Sequence, residues 1–343
     1  MAIKVFALYN NKGGVSKTTT VFNLAAFLSK KGKKTLIIDA DSQSNATELF
    51  FASDEGFWDS ASETLPGDSI YDALKPRLEG NASRVDVSKV DLVRNARYEN
   101  LYLLRGDLDF GAHGEAYFSS AVEQAITSNI NQKNTYLCIR RLVRDLIAFH
   151  DFDHVVFDLG PSTGAISRLS LLACEGYFVP VTTDRFSALA VKSLPVVLEN
   201  WFKHDRLVLS TMEPYGLESD YKIPVFCGAI SQQFQMHRGR MKKSFERWSD
   251  RIKRQLTAGF LDNFDLPKSS YIKKDPIVAQ VENLGPLAPV SQLLGKAIFD
   301  ITQEDTRHAS MNGQVFYGAV FEPWADKIER YEGQMKKLAR ALE

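Results

Sequence analysis

Asn10-Asn11-Lys12-Gly13-Gly14-Val15-Ser16-Lys17-Thr18-Thr19-Thr20 decides how the rest of this 343-residue chain is read. Just before it, Ile3 to Tyr9 is a β-branched and aromatic run that reads as a buried strand. Just after it, Val21-Phe22-Asn23-Leu24-Ala25-Ala26-Phe27-Leu28 has helical spacing. Strand, glycine-bearing loop and helix, in that order, is the setting of a phosphate-binding loop. Gly13 and Gly14 let the backbone turn and bring several N–H groups together around an anion. The helix starting near Lys17 turns its positive end toward the same place. Lys17 adds a point charge at the outer phosphates of a nucleotide, and Thr18 offers a hydroxyl to Mg²⁺. Residues Asn11, Lys12, Gly13, Gly14, Val15, Ser16, Lys17, Thr18 and Thr19 are therefore the expected phosphate cradle. Against the pattern G-x-x-x-x-G-K-[ST], Asn11 and Ser16 occupy the two glycine positions.

Two acid-bearing strand ends follow. Thr35-Leu36-Ile37-Ile38 runs into Asp39-Ala40-Asp41-Ser42-Gln43, and His154-Val155-Val156-Phe157 runs into Asp158-Leu159-Gly160-Pro161-Ser162. In an open parallel sheet, ligands sit beyond the carboxyl ends of the strands. A carboxylate ending an apolar strand is the Walker B pattern, so Asp158 is expected to hold Mg²⁺ through a water. Asp41 and Ser42 would also serve as an ordinary helix cap. Their place downstream of a phosphate loop favours the active-site reading.

The segments K-G-G-V-S-K-T-T, I-D-A-D-S-Q and V-F-D-L-G-P-S occur in this order. Together they resemble the deviant Walker A ATPases of the ParA/MinD family, closest to ParA-like partition ATPases without an N-terminal helix-turn-helix domain. That family's usual forms are K-G-G-x-G-K-T-T, D-x-D-P-Q and D-x-P-P-S, so Ser16, Ser42 and Gly160 depart from it. The resemblance implies an α/β fold, a doubly wound and mostly parallel sheet of the P-loop NTPase type. It implies ATP and Mg²⁺ as ligands, with Lys12, Lys17 and Asp41 catalytic and Thr18, Asp39 and Asp158 around the metal. It implies that Lys12 reaches the other subunit's phosphates in an ATP-bound homodimer. With Ser16 in the loop, the expected hydrolysis is slow and stimulated by a ParB-like partner. In relatives the residues after the strand Pro224 to Ile230 help read adenine, which makes Ser231 and Gln232 the candidates here. The loop after the strand Gly176 to Val181, with Asp184, Phe186 and Ser187, resembles a segment that changes with nucleotide state. The implied role is partition of plasmid, prophage or chromosomal DNA. The alternative is positioning of a non-DNA cargo on nucleoid or membrane, as MinD-like proteins do. A metabolic ligase or reductase on the same fold is a third reading.

Composition narrows these. Formal charge is zero, so contact with nucleic acid has to come from a local patch. Cys138, Cys174 and Cys227 are far apart and form no C-x-x-C pair, which disfavours iron–sulfur relatives and suits a reducing cytoplasm. No run of eighteen apolar residues and no signal peptide stands out, so a cytoplasmic protein is expected, and the resemblance implies that it is nucleoid-associated. The patch is a helix. Met241, Phe245, Trp248, Ile252 and Leu256 form one apolar stripe, and Arg238, Arg240, Lys242, Lys243, Arg247 and Arg251 lie on its other faces. Contact with DNA phosphates, a plain solvated face and contact with anionic lipid are the three readings of that charge. Relatives that bind DNA do so through basic residues in this half of the chain, which favours the first, and a membrane is the less favoured partner. The expected organisation is an ATPase domain over 1–302, with insertions around 50–100 and 203–223, and a helical tail over 303–343 packed on the core. Val290 to Ile301 and Pro323 to Leu342 read as helices.

Overall fold

The computed structural model describes residues 2–54, 65–81, 84–234, 236–237, 240–241 and 243–343. In chain order the strands are β1 (Val5–Leu8), β2 (Thr35–Asp39), β3 (Val93–Arg94), β4 (Leu101–Leu104), β5 (His154–Asp158), β6 (Gly176–Thr182), β7 (Val225–Phe234), β8 (Met236–His237), β9 (Arg240–Met241) and β10 (Ile277–Glu282). The α-helices are α1 (Lys17–Lys30), α2 (Asn45–Phe51), α3 (Ile70–Leu78), α4 (Glu115–Gln124), α5 (Ile130–His150), α6 (Ala165–Leu172), α7 (Arg185–Ser210), α8 (Lys243–Leu256), α9 (Leu287–Leu294) and α10 (Glu322–Arg340). One eight-stranded sheet has the order β10-β7-β6-β1-β5-β2-β4-β3. All its neighbours pair parallel except the edge strand β3, which runs antiparallel to β4. This is the expected doubly wound sheet. Order reverses beside β1, where a ligand crevice opens in such folds.

The central strands are buried at every position because both faces are covered, as a parallel sheet requires. On one face α1, α2, α9 and α10 contribute to a core that includes Phe6, Phe22, Ile37, Val156, Phe178 and Met335. On the other, α3 to α8 cover a second core with Tyr9, Leu142, Phe157, Tyr177 and Phe202. The last helix buries Tyr331, Met335 and Leu338, and Leu342 beyond it, and the Ile3 amide donates to the Leu342 carbonyl at 2.6 Å.

Three stretches differ from the sequence reading. Residues 203–223 are not a loop throughout, because α7 continues to Ser210. Trp201, Phe202, Asp205, Val208 and Leu209 are its buried face. Asp205 interrupts the apolar period, but Arg140 forks onto it (Nη1 at 2.9 Å, Nη2 at 2.6 Å) and the Tyr136 hydroxyl donates to it at 2.8 Å. Second, α9 stops at Leu294 and does not continue to Ile301. Gly295 follows with φ +51°, and a Cβ there would stand 2.0 Å from the Ser53 amide nitrogen. Third, the region around 50–100 adds strand β3 to the short helix read at Ile70 to Leu74, which is α3, its Ser69 and Asp72 forming a reciprocal cap. Residues 55–64 and 82–83 of that region lie outside the described residues.

Candidate nucleotide site

The phosphate loop leaves β1 at Tyr9 and enters α1 at Lys17. Asn10 anchors its start. The buried Asn10 side chain donates to the Pro180 carbonyl of β6 at 2.7 Å and accepts from the Lys12 amide at 3.0 Å. Ser16 precedes α1 in a left-handed conformation (φ 56°, ψ 34°), the backbone that the turn demands of whatever residue stands there. No acidic side chain lies in the first turn of α1 and Ser16 makes no side-chain cap, so the helix presents its amides uncompensated. The loop forms one wall of a cleft of about 730 Å³. Asp41, Gln43 and Pro161 line it from the strand ends, Asn45, Glu48 and Leu49 from α2, and Pro289, Gln292 and Leu293 from α9.

Lys17 is buried and holds the loop closed on itself, donating to the carbonyls of Asn10 and Lys12 at 3.2 Å each. Burial lowers its pKa, opposed by the charges of Asp158 and Asp41. Asp158 lies opposite Asp39 on the neighbouring strand and is wholly buried. Neither of its oxygens has a hydrogen-bond partner among the described residues. Its pKa stands well above the carboxylate range, from burial first and then from Asp39 and Asp41; Thr18 and Lys17 pull the other way. A buried, orphaned carboxylate beside a threonine hydroxyl is the donor set that a hard cation takes up. Mg²⁺ fits these residues: it needs only one or two protein oxygens when phosphates and waters supply the rest.

Asp39 is differently employed. Its Oδ2 accepts from the Thr47 amide (2.9 Å) and hydroxyl (2.8 Å), and its Oδ1 from the Asp41 amide (3.2 Å). It holds the start of α2, whose own cap residue Ser44 makes no side-chain bond. Burial raises its pKa to about 6 against those hydrogen bonds. Asp158, not Asp39, therefore has the free oxygens. Asp41 lines the cleft, and Gly160 leaves room for it: a Cβ at 160 would come within 3.0 Å of Asp41 Oδ1.

A model of the AAA domain family matches residues 3–208, more than half of the chain. The chain belongs to this family, in its ParA-like ATPase branch. It is 25% identical over 196 residues to the chromosome-partitioning ATPase Soj of Treponema pallidum, covering 57% of this chain and 62% of that protein. The Soj ATPase of Thermus thermophilus is 28% identical over 199 residues, again 57% and 62%. The match thus spans about three-fifths of the length of these curated relatives. Among solved structures, a Corynebacterium diphtheriae protein, DIP2308, superposes with TM-score 0.68 at 20% identity, over 85% of this chain and 97% of that one. The septum site-determining protein MinD of Pyrococcus horikoshii superposes with TM-score 0.53 at 14% identity, over 98% and 94%. These likenesses concern the fold.

The lysine that marks this ParA-like loop, Lys12, is held within its own subunit. Its ammonium donates to Thr182 Oγ1 (2.8 Å), Asp184 Oδ2 (2.7 Å) and Ser187 Oγ (3.1 Å). Asp184 also caps α7 through the Ser187 amide at 2.8 Å. Burial would raise the Asp184 pKa, but these hydrogen bonds and the Lys12 charge bring it below its ordinary value. Gln232, the adenine candidate, turns inward instead and donates to Thr20 Oγ1 at 2.7 Å. The next residue, Gln233, is the exposed one. With Gln232 itself, Ser16, Asn283, Leu284 and Gly285 it lines a side cavity of about 220 Å³. Nothing local in the sequence singles out Gln233, Thr47 or Asn283, because each acquires its role from a distant segment.

Of the basic residues, Arg238 and Lys242 lie outside the described residues, and Arg240 and Lys243 fall in β9 and at the start of α8. Arg247 and Arg251 are exposed on α8, with the Arg251 guanidinium 5.6 Å from the centre of the Trp248 ring. Ile252 and Leu256 are buried, so this end of the apolar stripe faces the core.

Proposed function

We propose that this ParA-like chain is an ATP-dependent switch that hydrolyses ATP slowly, dimerises in the ATP state and binds non-specific DNA in partition of a replicon. One observation carries the reading: Lys17, Thr18 and Asp41 line one cleft at the start of α1, and the buried Asp158 interacts with all three from the end of β5. In it, the loop amides from Gly13 to Thr19 and Lys17 bind the phosphates. Thr18 and Asp158 hold Mg²⁺, which when bound neutralises phosphate charge. Asp41 orients the attacking water. The side cavity beside Gln233 and Asn283 takes the base. Lys12 leaves Asp184 when a second copy docks and offers its ammonium to that copy's phosphates, as an arginine finger does. Support for a docking face comes from α7, where Phe186 (71% exposed) and Leu189 (53%) follow Asp184 directly in an apolar, unpartnered stripe. A ParB-like partner accelerates hydrolysis and releases the dimer. Arg247 and Arg251, with the basic residues before them, contact DNA phosphates. No helix among the described residues is long and apolar enough to cross a membrane.

Co-sedimentation with DNA and with anionic vesicles, without nucleotide, with ADP and with ATP, tests this. Pelleting with DNA in ATP alone is expected, and Arg247→Glu with Arg251→Glu should abolish it while ATP binding persists. Retained DNA binding in that variant removes the basic helix from the reading. Pelleting with vesicles only replaces DNA by a membrane-positioning role.

A further inference from the structure

Ser16 and Gln233 share an unusual backbone. Among the described residues only four that are not glycine have positive φ, and these are two of them, at 56° and 58°. They meet in space although 217 positions separate them: the Gln233 amide nitrogen lies 2.8 Å from Ser16 Oγ and 3.4 Å from the Gly14 carbonyl oxygen. A carbonyl only accepts, so Gln233 must turn its NH₂ to the loop and donate to both. Gln232 braces the same turn from beneath, through Thr20 Oγ1, which in turn donates to the Ser16 carbonyl at 2.8 Å. The end of β7 therefore grips the phosphate loop at two consecutive residues, one buried and one at the surface. Ser16 is also the one residue that lines both the phosphate cleft and the side cavity.

We propose that Gln233 is a positioning residue of the nucleotide site, holding Ser16 and the Gly14 carbonyl so that the phosphate loop keeps its anion-binding form. The inference rests on the ATP reading of the cleft. Glycine adopts the left-handed turn without strain, and a serine in that place needs support from outside the loop. Gln233 supplies it. Having accepted from Gln233, the Ser16 hydroxyl keeps its own proton to donate to a phosphate oxygen. The departure of this loop from K-G-G-x-G-K-T-T and the glutamine at the end of β7 are then one device.

The test is a double-mutant cycle on the full chain, read by titration with a slowly hydrolysed ATP analogue and Mg²⁺. Ser16→Ala and Gln233→Ala should each weaken binding by about five- to tenfold, the size of one lost hydrogen bond at its upper range, and the double variant should be no weaker than either single one. KM for ATP should rise by the same factor while kcat stays within about twofold. Ser16→Gly should rescue Gln233→Ala, because glycine needs no brace. The idea is overturned by additive losses in the cycle, by an undiminished Gln233→Ala defect in the Ser16→Gly background, or by a lowered melting temperature with unchanged affinity. If the wild-type chain binds no analogue, the ATP reading itself falls, and the cycle is not the reason.

Discussion

Asp158 and Asp205 are both wholly buried and could hardly be kept more differently. Asp205, on α7, has both oxygens taken by the Arg140 guanidinium and one shared with the Tyr136 hydroxyl. Asp158, at the end of β5, has neither oxygen bonded, and Asp39 and Asp41 stand nearby with the same charge. A protein keeps a buried charge when a partner offsets its desolvation. Where it keeps one without a partner, something outside the chain must supply the compensation. Asp205 is architecture, locking α5 to α7. Asp158 has no hydrogen-bond partner among the described residues, and Lys17 and Thr18 from the start of α1 act on it.

The contrast breaks most sharply at Arg140. Arg140→Ala would leave Asp205 buried and uncompensated, with an expected loss of about 3–5 kcal/mol in denaturant unfolding. A loss below about 1 kcal/mol would mean that Asp205 is not paying a burial penalty at all. The opposite sign is expected at the other aspartate. Asp158→Asn removes a buried carboxyl whose ionisation is opposed by burial and by Asp39 and Asp41, so the chain without nucleotide should melt higher at pH 7, by about 2–4 °C if the relief is near 1 kcal/mol. The same variant should lose the stabilisation that Mg²⁺ and ATP together confer.

The pH dependence sharpens this. Asp158 and Asp39 have raised folded-state pKa values, the latter about 6. The folded chain thus keeps protons that the unfolded chain releases from about pH 4 upward. Asp39 therefore makes stability fall as pH climbs from about 4 through about 6, Asp158 acts in the same direction above its ordinary range, and Asp158→Asn should remove its share of the slope. An unchanged melting profile between those limits would contradict the assignment. The smallest effect is expected at the surface. Lys12 and Asp184 are 24% and 41% exposed, so Asp184→Asn should cost under about 1 kcal/mol of stability. It should nevertheless lower the ATP concentration at which dimers appear in sedimentation, since Lys12 no longer has to leave a carboxylate.

Much of this was legible in advance for reasons that differ by region. The stretch from β1 to α1 could be read directly because strand alternation, a glycine turn and helical spacing follow one another within thirty residues. The acids at the ends of β2 and β5 were legible as apolar runs that stop at a carboxylate. Residues 203–210 were misread because Asp205 breaks the apolar period, and the guanidinium that makes it tolerable comes from 65 positions earlier. The end of α9 was misread because Gly295 is required by contact with Ser53, which the local sequence does not mention. Asp39 was placed near the metal by the resemblance alone, and its bonds to Thr47 come from the way α2 folds back, which the local sequence does not show.

The chain alone thus determined the parallel sheet, the phosphate loop and the acids that face it, since each depends on conformational preferences expressed over a few consecutive residues. Only the tertiary structure decided which of those acids remains unbonded, where Lys12 rests and what braces Ser16. Those outcomes turn on pairs of groups 170 or more positions apart in two of the three cases, Lys12 with Thr182 and Ser16 with Gln233. Burial and hydrogen bonding act on distance in space, and no local pattern encodes it.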